Sequence, residues 1–143
     1  MPRLRLRLLL GDQLNPLHSW FSDTDPQTLY LMMEMRQETD YVRHHAQKVI
    51  AIFAAMRAFA TALRERGHRV HYLQINEADS QLPMVESLDA VMARTGASVL
   101  EYQEPDEWRL DALLKEHLAQ AEASGSYSGR MIASERMSDT RLL

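Results

Sequence analysis

Residues 29–63 constrain this chain more than any other stretch. A short apolar run, Leu29-Tyr-Leu-Met-Met33, is followed by an acid, Glu34, and by a polar patch ending in Tyr41-Val-Arg-His-His-Ala-Gln-Lys48. Beyond it, Val49, Ile52, Phe53, Met56, Phe59, Ala60 and Leu63 recur at steps of three and four. That spacing lays one apolar stripe along a helix. The stretch reads as a strand, a turn at the strand's carboxyl end, and a long amphipathic helix returning along the sheet. The polar patch falls in the turn, where open α/β sheets place their ligands.

The rest of the chain repeats this alternation. Leu4 to Leu10 reads as a first strand, with Arg3, Arg5 and Arg7 alternating with leucines before the run turns fully apolar. Gly11-Asp-Gln-Leu-Asn-Pro16 is a loop by its Gly, Asn and Pro. His18, Trp20 and Phe21 belong to an irregular or one-turn helical piece, and Ser22 to Pro26 to a turn. Thr28 to Met33 is the second strand. The long helix is expected from about Asp40 to Arg66, roughly 40 Å at 1.5 Å per residue. Gly67 would be its left-handed C-cap, with Arg64 and Arg66 complementing the helix dipole.

Val70 to Ile75 is the expected third strand, and Asn76 to Ser80 a loop. A helix over Leu82 to Arg94 turns Met84, Val85, Leu88, Val91 and Met92 inward, and Gly96 closes it. Ser98 to Tyr102 is the fourth strand. Asp106 would N-cap a helix from Glu107 to about Ala123, and Ser124 to Gly129 a flexible connection to a short fifth strand, Arg130 to Ala133. Strands alternating with helices predict a five-stranded parallel sheet of Rossmann-like α/β type with helices on both faces. Residues 1–133 would form that domain. Residues 134–143 would open a linker, so that the chain reads as the N-terminal part of a longer protein.

Composition narrows the chemistry. A chain of 143 residues can bury a core without staples. With no cysteine it has no disulfide and no cysteine-ligated zinc or iron–sulfur site. A net charge of −4 argues against nucleic-acid binding by this region as a whole. No run approaches the roughly 20 apolar residues of a membrane span. The expectation is a soluble cytoplasmic domain with no membrane partner.

Three strand ends carry polar residues that a parallel sheet would bring to one edge: Asp12-Gln13, Glu34 with Tyr41 to Lys48, and Glu104 to Trp108. The first loop lacks the glycines of a dinucleotide fingerprint, and the sequence has neither a P-loop nor a nucleophile elbow. Asp12 and Gln13 fit either a ligand site or loop capping. Tyr41, His44, His45 and Lys48 share one face of a helix's first turns and could meet an aromatic ligand or an anion. They could equally be satisfied histidines beside a solvated lysine. Metal binding is weakly supported, since adjacent histidines diverge by about 100° around a helix. Trp108 beside Pro105 fits a stacking wall or a helix-cap aromatic. Met32, Met33 and Met35 fit an adaptable wall or plain core filling.

These residues also carry a resemblance. Leu10-Gly-Asp-Gln-Leu14, Glu34 followed by Tyr41-Val-x-His-His45-x-x-Lys48, Phe53-Ala-Ala-Met-Arg-x-Phe59, Gly67-x-x-Val70 and Glu104-Pro-x-Glu-Trp-Arg109 resemble the N-terminal domain of deoxyribodipyrimidine photolyase-related proteins. This is the bacterial iron–sulfur branch of the cryptochrome/photolyase family, which includes six-four photolyases. The resemblance covers Leu4 to about Arg136. It implies an antenna domain joined to a helical C-terminal domain that binds FAD and a 4Fe-4S cluster and repairs damaged DNA or senses blue light. The lyase-type chemistry would belong to that absent part, leaving this fragment non-catalytic alone. The implied antenna is 6,7-dimethyl-8-ribityllumazine. Its implied pocket lies among Gly11, Asp12, Gln13, Met33, Glu34, Tyr41, His45, Glu104, Pro105 and Trp108, with Glu34 accepting from the ring edge. The competing readings are a nucleotide-binding or signalling module of the same shape, and a purely structural domain.

Overall fold

The computed structural model describes residues 4–35, 46–75, 83–106 and 108–133. Five strands form one parallel sheet: β1 (Arg5–Leu9), β2 (Thr28–Met33), β3 (Arg69–Leu73), β4 (Val99–Gln103) and β5 (Ser128–Ile132). Their order across the sheet is β3-β2-β1-β4-β5. Helices α1 (Ala46–Glu65), α2 (Met84–Thr95) and α3 (Trp108–Ser124) connect strands, and a 3-10 turn at Ser19–Phe21 lies between β1 and β2. This is the Rossmann-like arrangement that the alternation of apolar runs predicts.

The strand sequences explain the layering. On β1, Leu6 and Leu8 join a core with Leu88 and Val91 of α2 and Leu114 and Leu118 of α3. Leu9 faces the other way, into a second core with Trp20, Phe21, Tyr30 and Met32, closed by Met56, Ala60 and Leu63 of α1. Helices therefore cover both faces. All six residues of β2 are buried, as a strand with neighbours on both sides and cover on both faces requires. No helix among the described residues is long and apolar enough to cross a membrane.

Several boundaries differ from expectation for identifiable reasons. Helix α1 is described from Ala46, so an earlier start at Asp40 lies outside the described residues. Its other end matches: Gly67 has φ +93°, and the Gly67 and His68 N–H groups donate to the carbonyls of Arg64 and Leu63. Arg64 and Arg66 do more than oppose a dipole, since their guanidinium groups donate to the Val70 and Phe21 carbonyls at 3.0 and 3.1 Å. β3 ends at Leu73 and not at Ile75, because the Ile75 N–H turns to the Glu34 carboxylate at 3.1 Å. Helix α2 starts at Met84 after an N-cap at Pro83, and α3 starts at Trp108 and runs to Ser124.

The connection before β5 is shorter and tighter than its Ser/Gly composition suggested. Gly125 takes φ +76° and the Ser126 N–H returns to the Ala121 carbonyl at 2.9 Å. Ser128 and Gly129 already pair with Val99 and Leu100. The fifth strand accordingly begins at Ser128 and not at Arg130.

Candidate functional site

The chain leaves β1 toward β2 and β3 on one side and later fills β4 and β5 on the other. The loops after β1 and β4 therefore diverge, and the carboxyl edge between them is the crevice where open α/β sheets bind ligands. Gln13 ties that crevice together. Its side-chain carbonyl accepts the Leu10 N–H at 3.1 Å, and its amide lies 3.3 Å from the Gln103 carbonyl and 3.4 Å from that of Glu104. Gln13 is buried, and both ends of its amide are engaged by the protein. Gly11 and Asp12 form the turn at the loop tip, with Asp12 exposed. Across the crevice Pro105 is buried and Glu104 exposed, while the Glu104 N–H donates to the Ile132 carbonyl at 2.8 Å.

Glu34 stands elsewhere on the same edge, at the end of β2 with β1 between it and β4. It is fully buried beneath α1. Arg57 donates Nε to one carboxylate oxygen at 2.6 Å and Nη2 to the other at 2.9 Å. Tyr72 adds its hydroxyl at 2.5 Å, and Ile75 its N–H at 3.1 Å. Each oxygen thus receives two donors, which fills the roughly four lone-pair sites of a carboxylate. Burial alone would push the Glu34 carboxyl up, but the bonds from Arg57, Tyr72 and Ile75 outweigh it and hold it below its usual range. Burial, with the Glu34 charge beside it, raises the Tyr72 hydroxyl. Arg57, although part of the motif Phe53-Ala-Ala-Met-Arg-x-Phe59, and Tyr72 of the third strand are not among the site residues expected from the sequence. A signal existed: a carboxylate ending an apolar strand requires a cationic partner.

The remaining expected residues are more dispersed. Met33 is buried in the α2/α3 core, on the opposite face from Glu34. Trp108 opens α3 with 72% of its surface exposed, its ring 5.5 Å from the Arg109 guanidinium. Tyr41, His44 and His45 lie outside the described residues. No group of three potential metal ligands occurs among the described residues.

Two polar clusters lie away from the crevice. Glu101 of β4 is buried and accepts Arg7 Nε at 2.9 Å, with Arg5 and Arg130 at 3.7 and 3.6 Å. Arg7 also donates to the Tyr30 hydroxyl at 3.1 Å and stands 4.8 Å from the Trp20 ring centroid. Between α2 and α3, a cavity of about 500 Å³ contains Asp89, which accepts the Tyr127 hydroxyl at 2.7 Å and meets His117 Nε2 at 2.8 Å. None of the candidate site residues expected from the sequence lines it.

Comparison with known proteins adds two findings. The family model described as deoxyribodipyrimidine photo-lyase-related protein matches residues 7–136. A curated relative named (6-4) photolyase, from Agrobacterium fabrum, is 36% identical over 107 residues, which is 74% of this chain. The matched stretch spans 21% of that relative's own length.

Proposed function

Because the chain belongs to the deoxyribodipyrimidine photolyase-related family, we propose that it is the light-harvesting domain of a photolyase- or cryptochrome-type flavoprotein. Its ligand would be 6,7-dimethyl-8-ribityllumazine, seated in the crevice between the carboxyl ends of β1 and β4. Light-dependent DNA repair, or blue-light sensing, would be an activity of the whole protein. FAD and the 4Fe-4S cluster belong to its helical part in this proposal, since a chain without cysteine offers no thiolate to a cluster.

One observation carries the reading: at the strand-order reversal the two loops that frame the crevice are tied together by a neutral side chain, the buried Gln13 amide, with the carboxylates of Asp12 and Glu104 exposed at its rim. Gln13 fastens the loop after β1 to the carbonyls that end β4, and the buried Pro105 backs the opposite rim. An antenna needs a fixed position, a defined orientation and shelter from water; the bound chromophore supplies the photophysics. Pre-formed sites of this kind combine apolar walls with few polar groups. In this proposal Gly11, Asp12, Glu104 and Pro105 border the ligand. Glu34, with its lone pairs taken by Arg57, Tyr72 and Ile75, acts by anchoring the end of β2 and not by touching the ring.

The test is a fluorescence titration of the folded chain with 6,7-dimethyl-8-ribityllumazine, with ATP as a competitor. Saturable binding below about 1 μM, unaffected by ATP, is the expected result. Binding of ATP in place of the lumazine would instead make the crevice a nucleotide site. Binding of neither would leave a structural role.

A further inference from the structure

Gln103 is the last residue of β4 and is 1% exposed. Its backbone is held on both sides. The carbonyl meets the Gln13 amide, and the next N–H, of Glu104, is bonded to Ile132. Its side-chain Nε2 is fully buried and has no hydrogen-bond partner among the described residues. The reason is visible in the register. Side chains alternate along β4, so Gln103 shares a face with Glu101, whose partner is Arg7. Gln103 has apolar neighbours instead: Ile132 is directly paired with it, and Leu9 follows the Leu8–Tyr102 step of the β1–β4 register. A buried amide without a partner is costly, and a Met of similar length would pack there without that cost.

Gln103 ends β4 at the carboxyl edge of the sheet, beside the β1/β4 crevice where strand order reverses. A primary amide offers one donor and one acceptor side by side. Its complement is an imide edge, an N–H flanked by a carbonyl, as found in pyrimidinedione rings.

We propose that the Gln103 side chain is the recognition group of this crevice, pairing with the imide edge of a planar pyrimidinedione heterocycle. The inference rests on the antenna reading for the identity of the full ligand, since lumazines, flavins and uracil share this edge. Gln103 selects the edge; the walls of the crevice select the rest of the ring system. Ligand binding removes the orphaned donor, so the side chain contributes to affinity and not to the stability of the free chain.

The experiment compares wild type, Gln103→Leu and Gln103→Met. Each is titrated with 6,7-dimethyl-8-ribityllumazine, with its N3-methyl derivative and with uridine, and each is melted without ligand. Both substitutions are expected to weaken lumazine binding by about 10- to 100-fold while leaving the melting temperature unchanged or raised. N3-methylation should weaken wild type by a similar factor and the variants hardly at all. In 15N NMR of wild type, the Gln103 side-chain NH₂ signals should move on addition of lumazine or uridine. Equal lumazine affinity in all three proteins would overturn the role of Gln103 and leave the antenna reading intact. Absence of lumazine binding with retained uridine shifts at Gln103 would overturn the antenna reading alone. No shift at Gln103 with either ligand, or a fall of several degrees in melting temperature for both variants, would assign the amide to the fold and overturn the inference.

Discussion

Arg57 places its guanidinium flat against Glu34, with Nε and Nη2 each donating to a different carboxylate oxygen, at 2.6 and 2.9 Å. The two residues join α1 to the end of β2, and Tyr72 ties β3 into the same knot. Glu34 is fully buried, while the Arg57 side chain is half exposed. Removing a donor therefore harms the carboxylate more than it harms the arginine. Tyr72→Phe, which deletes one charge-assisted bond, should lower unfolding stability by about 1.5–3 kcal/mol. Arg57→Leu should cost more, because it strips two bonds and the counter-charge. Replacing both partners with Met should recover much of the loss, since no buried charge remains. Urea unfolding of these three variants gives the ranking; a Tyr72→Phe protein as stable as wild type would contradict it.

The same carboxylate sets an acid limit. Its native pKa lies below the unfolded value of about 4.3. Between those two values the unfolded chain binds the proton and the native chain does not. Stability from this group is then fully present above about pH 4.3 and is lost as pH falls through the native pKa. Glu34→Gln should be clearly less stable than wild type at pH 7, and the gap should narrow steadily below pH 4. Chemical denaturation at a series of pH values measures that gap.

A second pH window belongs to His68. Its ring is buried edge-on to Phe21 and Tyr30, with centroids 5.7 and 5.5 Å away. Burial, and then the nearby Arg66 charge, lower its pKa from the usual histidine value. The unfolded chain takes up this proton first, near pH 6.5. The stabilisation from the neutral ring is present above that pH and declines as pH falls toward the lowered native value. His68→Phe should flatten the stability profile just below about pH 6.5 while leaving the acid limit from Glu34 in place. A slope unchanged by the substitution would mean another group titrates there.

Arg7 offers a test on the same face of the sheet, nearer β4, where it meets Trp20 and Tyr30 of the α1 core. Without it, buried Glu101 keeps only the longer contacts from Arg5 and Arg130. Arg7→Met should cost about 2 kcal/mol, less than a fully orphaned buried charge because two arginines remain. Trp20 loses the guanidinium 4.8 Å from its ring, so its emission should change along with stability. Glu101→Gln in the Arg7→Met background should restore part of the loss.

The layers of the fold were legible because they depend on periodicity. Alternating arginines and leucines set β1, the unbroken run of Thr28 to Met33 set a central strand, and three- and four-residue spacing set α1. Gly67 and Gly96 marked helix ends because both take positive φ, at +93° and +74°. The site was less legible because its bonds cross the sequence. Gln13 reaches a carbonyl 90 residues away, and Arg57 reaches Glu34 across 23. Composition alone misled at Ser124 to Gly129, where a flexible connection was expected. The backbone of residues 128 and 129 was already committed to the sheet, and a neighbouring helix fixed which residue could stand there.

That neighbour is Leu118 of α3. A Cβ built on Gly129 would lie 2.6 Å from both Leu118 Cδ atoms and 2.8 Å from its Cγ. Gly129 has no positive φ, so its role is close approach of helix to strand and not backbone freedom. Cγ lies near the stem of the side chain, and Leu118 is itself buried, so a rotamer change has little free space to use. Gly129→Ala should therefore cost about 1–3 kcal/mol through overpacking. Leu118→Ala alone should cost about 2–5 kcal/mol through the cavity it leaves. In the double variant the new methyl enters the space that leucine vacates, and the total should fall short of the sum by more than about 1 kcal/mol. A double-mutant cycle by chemical denaturation measures that coupling. Strict additivity would mean that β5 moves away from α3 rather than clashing with it, and that glycine at position 129 is not what lets the helix lie close.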